Sequence, residues 1–313
     1  MLDLQIFLIT YNRKKKLQFT LDSLLGSPVA DFDMIILDNA STDGTSEMLD
    51  DYAKKHKNIT HIRHKTNIGG NANICRAFEM AASCGKKYAW ILCDDDRYDW
   101  SNWDAVERAM AEQYDAILLE HKVVFPENNK LPYIINTMAF LPSTIYKTKN
   151  ITSQVIQNMY VNLYTSFPHL ALGAHLININ AKFFVLEKSI VEQEIRMAFL
   201  KGTNKEIHHR QRNVNLFSGY INSYQMIHNK KLRYKCCEVL SIGRSFSRSM
   251  MYFLKHNKMY KYNIFDVWCG ISGKQKAIFV LTGMKLVFKK LVKFIFSVDH
   301  DHFIVFGFKI KKR

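Results

Sequence analysis

Four short apolar runs, each followed by a polar cluster and then a helical stretch, constrain this chain more than any other feature. Leu4–Thr10 (LQIFLIT), Phe32–Leu37 (FDMIIL), Ile59–Arg63 (ITHIR) and Tyr88–Cys93 (YAWILC) carry the β-branched and aromatic residues of strands. Between them, Lys14–Leu25 places Leu17, Leu21, Leu24 and Leu25 at helical spacing. Thr42-Asp43-Gly44 opens a second helix that runs to His56, and Asn71–Ser83 reads as a third. This alternation predicts a parallel sheet covered by helices, with the apolar strands buried on both faces. Ligands of such sheets sit outside the carboxyl ends of the strands.

The four carboxyl ends are polar and distinctive. The first is Thr10-Tyr11-Asn12-Arg13, and the second runs from Asp38 through Asn39, Ser41, Thr42 and Asp43 to Thr45. The third holds Asn67, Gly69, Gly70 and Asn71, and the fourth is Asp94-Asp95-Asp96. Three adjacent carboxylates repel one another unless a cation relieves them, and an oxygen-ligated divalent ion does so. A solvated acidic turn is the alternative for an isolated run, but the apolar strand directly before it and the glycine segment upstream favour a site. Asp38 ends a buried strand, where a carboxylate can accept from an imide N–H or a sugar hydroxyl; an Asx turn is its alternative. Gly69-Gly70 lets backbone approach a ligand, or simply turns the chain. The chain has neither a GxGxxG fingerprint nor a GxxxxGK[ST] loop, which disfavours NAD enzymes and P-loop NTPases.

Taken together, TYNR, DNASTDGT and NIGGNANICRAFEMAASCGKKYAWILCDDD resemble glycosyltransferase family 2, across roughly residues 3–125. The last segment is most similar to a bacterial subgroup that builds surface polysaccharides. The resemblance implies a GT-A fold: a Rossmann-like, mostly parallel sheet flanked by helices. It implies that Thr10, Tyr11 and Arg13 line the nucleotide pocket, that Asp38 contacts the base, and that Asn67 and Gly69 form a third donor segment. It implies that Asp94-Asp95-Asp96 is the DxD region, binding Mn²⁺ or Mg²⁺ and through it the donor diphosphate. Asp94/Asp96 fits the spacing, and a one-residue offset would shift emphasis to Asp95.

The implied reaction is a single displacement that inverts the anomeric centre. It needs a Lewis acid on the departing phosphate and a general base for the attacking hydroxyl. The family's Glu-Asp motif has no clear counterpart in residues 126–215. The candidates are His169, in Ser166-Phe167-Pro168-His169, and Glu187, Glu192 or Glu194. A near-neutral imidazole suits a base; a packed histidine is the alternative. The QxxRW motif of processive members is absent, which argues against a polymerising synthase. Arg210 and Arg212 in HHRQRN could close over the diphosphate, or belong to a solvated loop.

Charge divides the chain. Residues 201–313 hold 23 Lys/Arg and 5 Asp/Glu, a net +18, whereas the whole chain carries +16. The nearly neutral first 200 residues argue against a nucleic-acid-coating surface. Lys276–Phe296 reads as a helix with Lys285, Lys289, Lys290 and Lys293 within an arc of ~140° and large apolar residues over most of the rest. This pattern suits the interface of an anionic bilayer; packing of the apolar face on the catalytic domain is the alternative. No uncharged run reaches the ~18–20 residues of a spanning helix. The six cysteines lack CxxC spacing, so free thiols in a reducing compartment are expected. The N-terminal apolar stretch is short and precedes its charges, unlike a signal peptide.

The expectation is therefore a cytoplasmic enzyme, peripheral on the inner membrane face. Residues 1–215 would be catalytic, with a donor half over 1–125 and an acceptor half over 126–215, and 216–313 would be a basic, mainly helical extension. The partners would be a nucleotide-sugar donor, with UDP the family default and dTDP and GDP open, and a glycan or lipid-linked glycan acceptor. A nucleotidyltransferase is the alternative enzyme, but it carries a glycine-rich basic loop after strand one, and TYNRKKK has no glycine. A non-enzymatic polyanion-binding protein is the other alternative, prompted by the charge.

Overall fold

The computed structural model describes residues 3–120, 126, 129–192, 219–240, 269, 271–298, 302–305 and 308–311. The four expected strands are β1 (Leu4–Thr10), β2 (Asp33–Asp38), β3 (Ile59–Arg63) and β4 (Tyr88–Cys93). The helices between them are α1 (Lys14–Leu25), α2 (Thr45–Lys55) and α3 (Gly70–Ala82). Then follow β5 (Arg97–Tyr98), α4 (Trp103–Ala111), β6 (Ala116–Leu118), α5 (Leu131–Met138), β7 (Thr144–Lys147), α6 (Ser153–Val161), α7 (Leu170–Asn178), β8 (Phe183–Val185) and β9 (Val191–Glu192). The described C-terminal elements are α8 (Lys230–Val239), α9 (Gly273–Ile295) and the hairpin strands β10 (Phe296–Val298), β11 (His302–Val305) and β12 (Phe308–Lys311).

Seven strands form one sheet in the order β3-β2-β1-β4-β7-β6-β8. All run the same way except β7, which is antiparallel to both β4 and β6. Alternation along each strand feeds two cores. Leu4, Ile6 and Leu8 of β1 and Tyr88, Trp90 and Leu92 of β4 enter one cluster, while Phe7, Ala89 and Ile91 enter the other. Trp90 anchors β4: it is fully buried, lies 6.1 Å from the Trp103 ring, and donates its indole N–H to Pro142 O at 2.8 Å. This anchoring fixes the strand whose end carries the three aspartates.

Described residues beyond 218 share the core of the sheet. Ile221, Tyr224, Ile227, Cys236, Cys237 and Ile271 are buried in the same cluster as Phe7 and Ile91. These buried residues tie the described part of this segment to the catalytic core beneath its basic surface. All six cysteines are free.

Candidate active site

At the sheet's carboxyl edge, short polar side chains stitch one strand end to the next. Asn12 is left-handed (φ 51), a conformation Asn tolerates, and its N–H donates to Ser41 Oγ at 2.9 Å. Asn12 Oδ1 accepts the Thr42 N–H at 2.7 Å, and Asp43 Oδ2 accepts the Lys14 N–H at 3.1 Å. These bonds join the first loop to the second. Asn39 joins the second to the third: its Nδ2 donates to Asn67 Oδ1 at 2.9 Å and its Oδ1 accepts the Ile68 N–H at 2.9 Å. Asn67 Oδ1 also accepts the Gly69 N–H at 2.8 Å. Gly69, at φ 87 and ψ 152, occupies backbone space open essentially to glycine alone, which lets α3 start directly at the crevice. Sequence reasoning selected Asn67 and Gly69 but gave no role to Asn12, Asn39 or Ser41. The signal was there in the density of Asn, Ser and Thr at the strand ends.

The fourth strand end converges on the first. Thr10 Oγ1 donates to Asp94 Oδ2 at 2.7 Å, and Thr20 Oγ1 donates to the Asp94 carbonyl at 3.1 Å. Arg13 Nη1 hydrogen-bonds Asp95 and lies 3.6 Å from Asp94 Oδ1, while Lys16 Nζ is 3.4 Å from Asp95 Oδ2. Lys16 is a further participant that sequence reasoning missed. Asp94 and Asp96 are buried at 6% and 4% exposure. Burial pushes Asp94 up to about 6, assisted by neighbouring Asp95 and opposed by Thr10 and Arg13. A cavity of about 240 Å³ borders this cluster, lined by Lys15, Lys16, Phe19, Thr20, Asp95, Asp96 and Arg97. Tyr11 is on the rim of the first loop, 43% exposed.

Among the described residues, no three His, Cys, Asp or Glu side chains form a preassembled metal cage. The donor set nevertheless fits Mg²⁺ or Mn²⁺. Both are hard cations that take one or two carboxylates and fill the remaining positions with phosphate oxygens and water. Asp94 and Asp96, two residues apart and both buried at the end of β4, are carboxylates of the kind such an ion takes.

Burial bears on two expected roles. Asp38, expected to touch the base, has no exposed surface. Its Oδ1 accepts the Ser41 N–H at 2.9 Å; its Oδ2 lies 3.7 Å from Arg63 Nε and 3.9 Å from His61 Nε2, an electrostatic contact rather than a hydrogen bond. Burial alone would raise the Asp38 carboxyl, but His61 and Ser41 outweigh it and hold it below the ordinary carboxylate value. Asp38 thus shapes the second loop from behind. Arg63, whose Nη2 donates to Ser41 O at 2.8 Å, covers it. His169, the first candidate base, is 2% exposed; its Nε2 donates to Met138 O at 3.1 Å, and burial pushes it down to about 4. It is packed into the core at the start of α7.

Of the carboxylate candidates, Glu187 is exposed and Glu192 pairs opposite Arg97 in the β5–β9 ladder, one residue beyond the acid run. Glu194, Arg210 and Arg212 lie outside the described residues.

The model of the family described as "Glycosyl transferase family 2" matches residues 5–173, more than half the chain and all four strand ends. The chain belongs to glycosyltransferase family 2. This glycosyltransferase is 31% identical over 116 residues to abequosyltransferase RfbV of Salmonella typhimurium, a stretch covering 36% of this chain and only 34% of that protein. Its fold is similar to S. aureus TarS 1–349, solved with UDP and with UDP-GlcNAc. For the UDP complex the TM-score is 0.57 at 16% identity, covering 97% of this chain and 96% of that one. It is also similar to the mannosyltransferase PcManGT from Pyrobaculum calidifontis, solved with GDP-Man and Mn²⁺, at TM-score 0.51 and 11% identity over 92% and 88% of the two chains. The sheet and its flanking helices are therefore the expected GT-A fold, and the enzyme is a glycosyltransferase. Family membership also removes the nucleotidyltransferase and polyanion-binder alternatives as primary readings.

Proposed function

We propose that this glycosyltransferase moves one sugar per binding event, with inversion, from a nucleoside-diphosphate sugar to a glycan acceptor of bacterial surface polysaccharide such as lipopolysaccharide or capsule. The observation that carries this reading is the convergence of Thr10, Arg13 and Lys16 on the Asp94–Asp96 run at the carboxyl edge of β1 and β4. UDP is the preferred nucleotide in this reading, supported by the UDP complexes of TarS; GDP in PcManGT keeps the base open to test. The abequosyltransferase relative supports a surface glycan as the product class.

Asp94 and Asp96 would hold Mn²⁺ or Mg²⁺, which when bound supplies charge neutralisation for the departing diphosphate. Arg13 and Lys16 hold Asp95 and place two further positive charges beside the leaving group. Thr10 orients Asp94. Tyr11, Asn67 and Gly69 line the donor loops, and Asp38 acts through Ser41 and Arg63. With His169 packed away, Glu192 is the proposed general base, because the β5–β9 register sets it next to the acid run.

The catalytic unit in this reading extends through α8, and α9 docks on an anionic membrane surface at the inner face of the cell membrane. Val280, Leu281, Met284, Val287 and Phe288 are 45–66% exposed and fall within a ~120° arc of α9. Lys274 and Lys285 border that arc on one side and Lys276 on the other. An exposed apolar stripe edged by lysines suits the headgroup–acyl boundary. Among the described residues no helix is long and apolar enough to cross a membrane.

A screen of UDP-, dTDP- and GDP-sugars with Mn²⁺ or Mg²⁺, reading released nucleotide with and without glycan acceptor, tests the reaction. One donor class turning over with the metal supports it; no metal-stimulated release from any donor counts against it. Removal of residues from Lys276 onward should reduce sedimentation with phosphatidylglycerol vesicles, and unchanged partitioning would refute the docking role.

A further inference from the structure

The surface formed by α3 and α6 carries exposed aromatic residues that the donor chemistry leaves unexplained. Helix α6 lies along α3 and ends at the crevice edge, where the loop after it meets the first turn of α3. Asn71 makes that junction. Its Nδ2 donates to Leu163 O at 2.8 Å and to Thr165 O at 2.5 Å, one residue on either side of Tyr164. Thr165 tightens the same loop by donating its hydroxyl to Asn162 O at 2.8 Å and accepting the Phe167 N–H at 3.2 Å. The backbone around Tyr164 is thus fastened to the helix that begins at Gly70, beside the donor loop. Yet the Tyr164 ring is 73% exposed, and Val161 beside it is 68% exposed.

A second tyrosine continues the line. Tyr160, four residues earlier and 37% exposed, donates its hydroxyl to Glu79 Oε2 at 3.0 Å. Glu79 Oε2 also accepts from Arg76 Nη1 at 2.7 Å, and both side chains of that pair are nearly half exposed. From Asn71 to Glu79 along α3 is a rise of ~12 Å. That distance is the length of a short oligosaccharide rather than of one sugar. Aromatic faces stack on the C–H face of pyranose rings, and flanking carboxylates and guanidinium groups hydrogen-bond their hydroxyls. A pinned backbone with an unburied ring spends little ordering entropy on binding.

We propose that Tyr164 and Tyr160 form an acceptor track for a glycan chain. Tyr164 stacks the sugar nearest the crevice, and the Tyr160–Glu79–Arg76 cluster hydrogen-bonds the sugars behind it. This assignment rests on the glycosyltransferase reading and adds which surface reads the acceptor and that it reads more than one residue of it.

The test uses the full chain, an array of oligosaccharide fragments from bacterial surface polysaccharides, and calorimetry with UDP. Wild-type protein should bind at least one fragment of two or more sugars. Tyr164→Ala should lower that affinity about tenfold or more, as truncation of an interface tyrosine does, with UDP affinity retained. Tyr164→Phe, which keeps the ring, should recover most of the loss, and Glu79→Gln should weaken longer fragments more than shorter ones. Equal glycan binding by Tyr164→Ala, or no fragment bound by wild type that still binds UDP, would overturn the track. Failure of wild type to bind any nucleotide would instead strike the donor reading beneath it.

Discussion

The sheet's carboxyl edge, proposed as the donor side, and the α3–α6 surface, proposed as the acceptor wall, are built by different means. At the donor edge, side chains on four strand ends hold one another: Asn12 to Ser41, Asn39 to Asn67, Thr10 to Asp94. The stitching residues Thr10, Asn39, Ser41 and Asp94 are buried and set on a sheet packed on both faces. On the acceptor wall, the backbone is held by Asn71 while the side chains that would meet the ligand stand in solvent. The first design fixes one geometry for a donor diphosphate. The second presents a surface whose exchange alters recognition without touching the fold.

Substitutions can break this comparison. The largest effect is expected beside the acid run. Glu192→Gln should lower kcat by about 10²–10⁴-fold, the range for a general base, with UDP affinity retained in calorimetry. A variant with wild-type kcat would move the base elsewhere. Next is stability. Trp90→Ala, which removes the anchor of β4, should cost about 3–5 kcal/mol in denaturant unfolding. Tyr164→Ala should change unfolding by less than about 0.5 kcal/mol. Similar losses for the two would erase the distinction between a built-in edge and an overlaid wall. Thr10→Val removes a hydrogen bond to a buried carboxylate and should cost about 1.5–3 kcal/mol, read in unfolding and in UDP affinity together.

The smallest effect is a pH dependence behind the donor loops. His61 lies between Asp50, at 2.8 Å from its Nδ1, and Asp38, with Arg63 also facing Asp38. Burial opposes its charge, but the two carboxylates outweigh that and raise His61 above its ordinary 6.5. The stabilisation it provides is therefore fully present below pH 6.5 and is lost as pH rises through the raised value. His61→Gln should flatten that part of the stability–pH curve. An unchanged slope would show that His61 does not sense the carboxylates.

Much of the donor edge was legible in the sequence. Periodicity gave β1, α1, β3 and β4 with the observed bounds, because strands buried on both faces are continuously apolar and their ends are abruptly polar. Burial was harder to read. Asp38 and His169 look like site residues by type and position, yet one is fully buried behind Arg63 and the other is packed against Met138. The two-residue pairing of β5 with β9 is too short to carry a periodic signal, so the register of Glu192 emerged only in three dimensions. The segment around α8 reads as basic surface, and its few inward residues, Cys236 and Cys237 among them, are what tie it to the core.

The most direct measurement is donor binding and turnover by an Asp94→Asn/Asp96→Asn variant in Mn²⁺. The account predicts that folding is retained, that Mn²⁺-dependent UDP affinity is lost, and that nucleotide release from the preferred donor falls about 10²–10³-fold, the scale for removing a charge-stabilising group. Wild-type Mn²⁺-dependent binding and release in that variant would contradict the assignment of the acid run as the centre of the donor site.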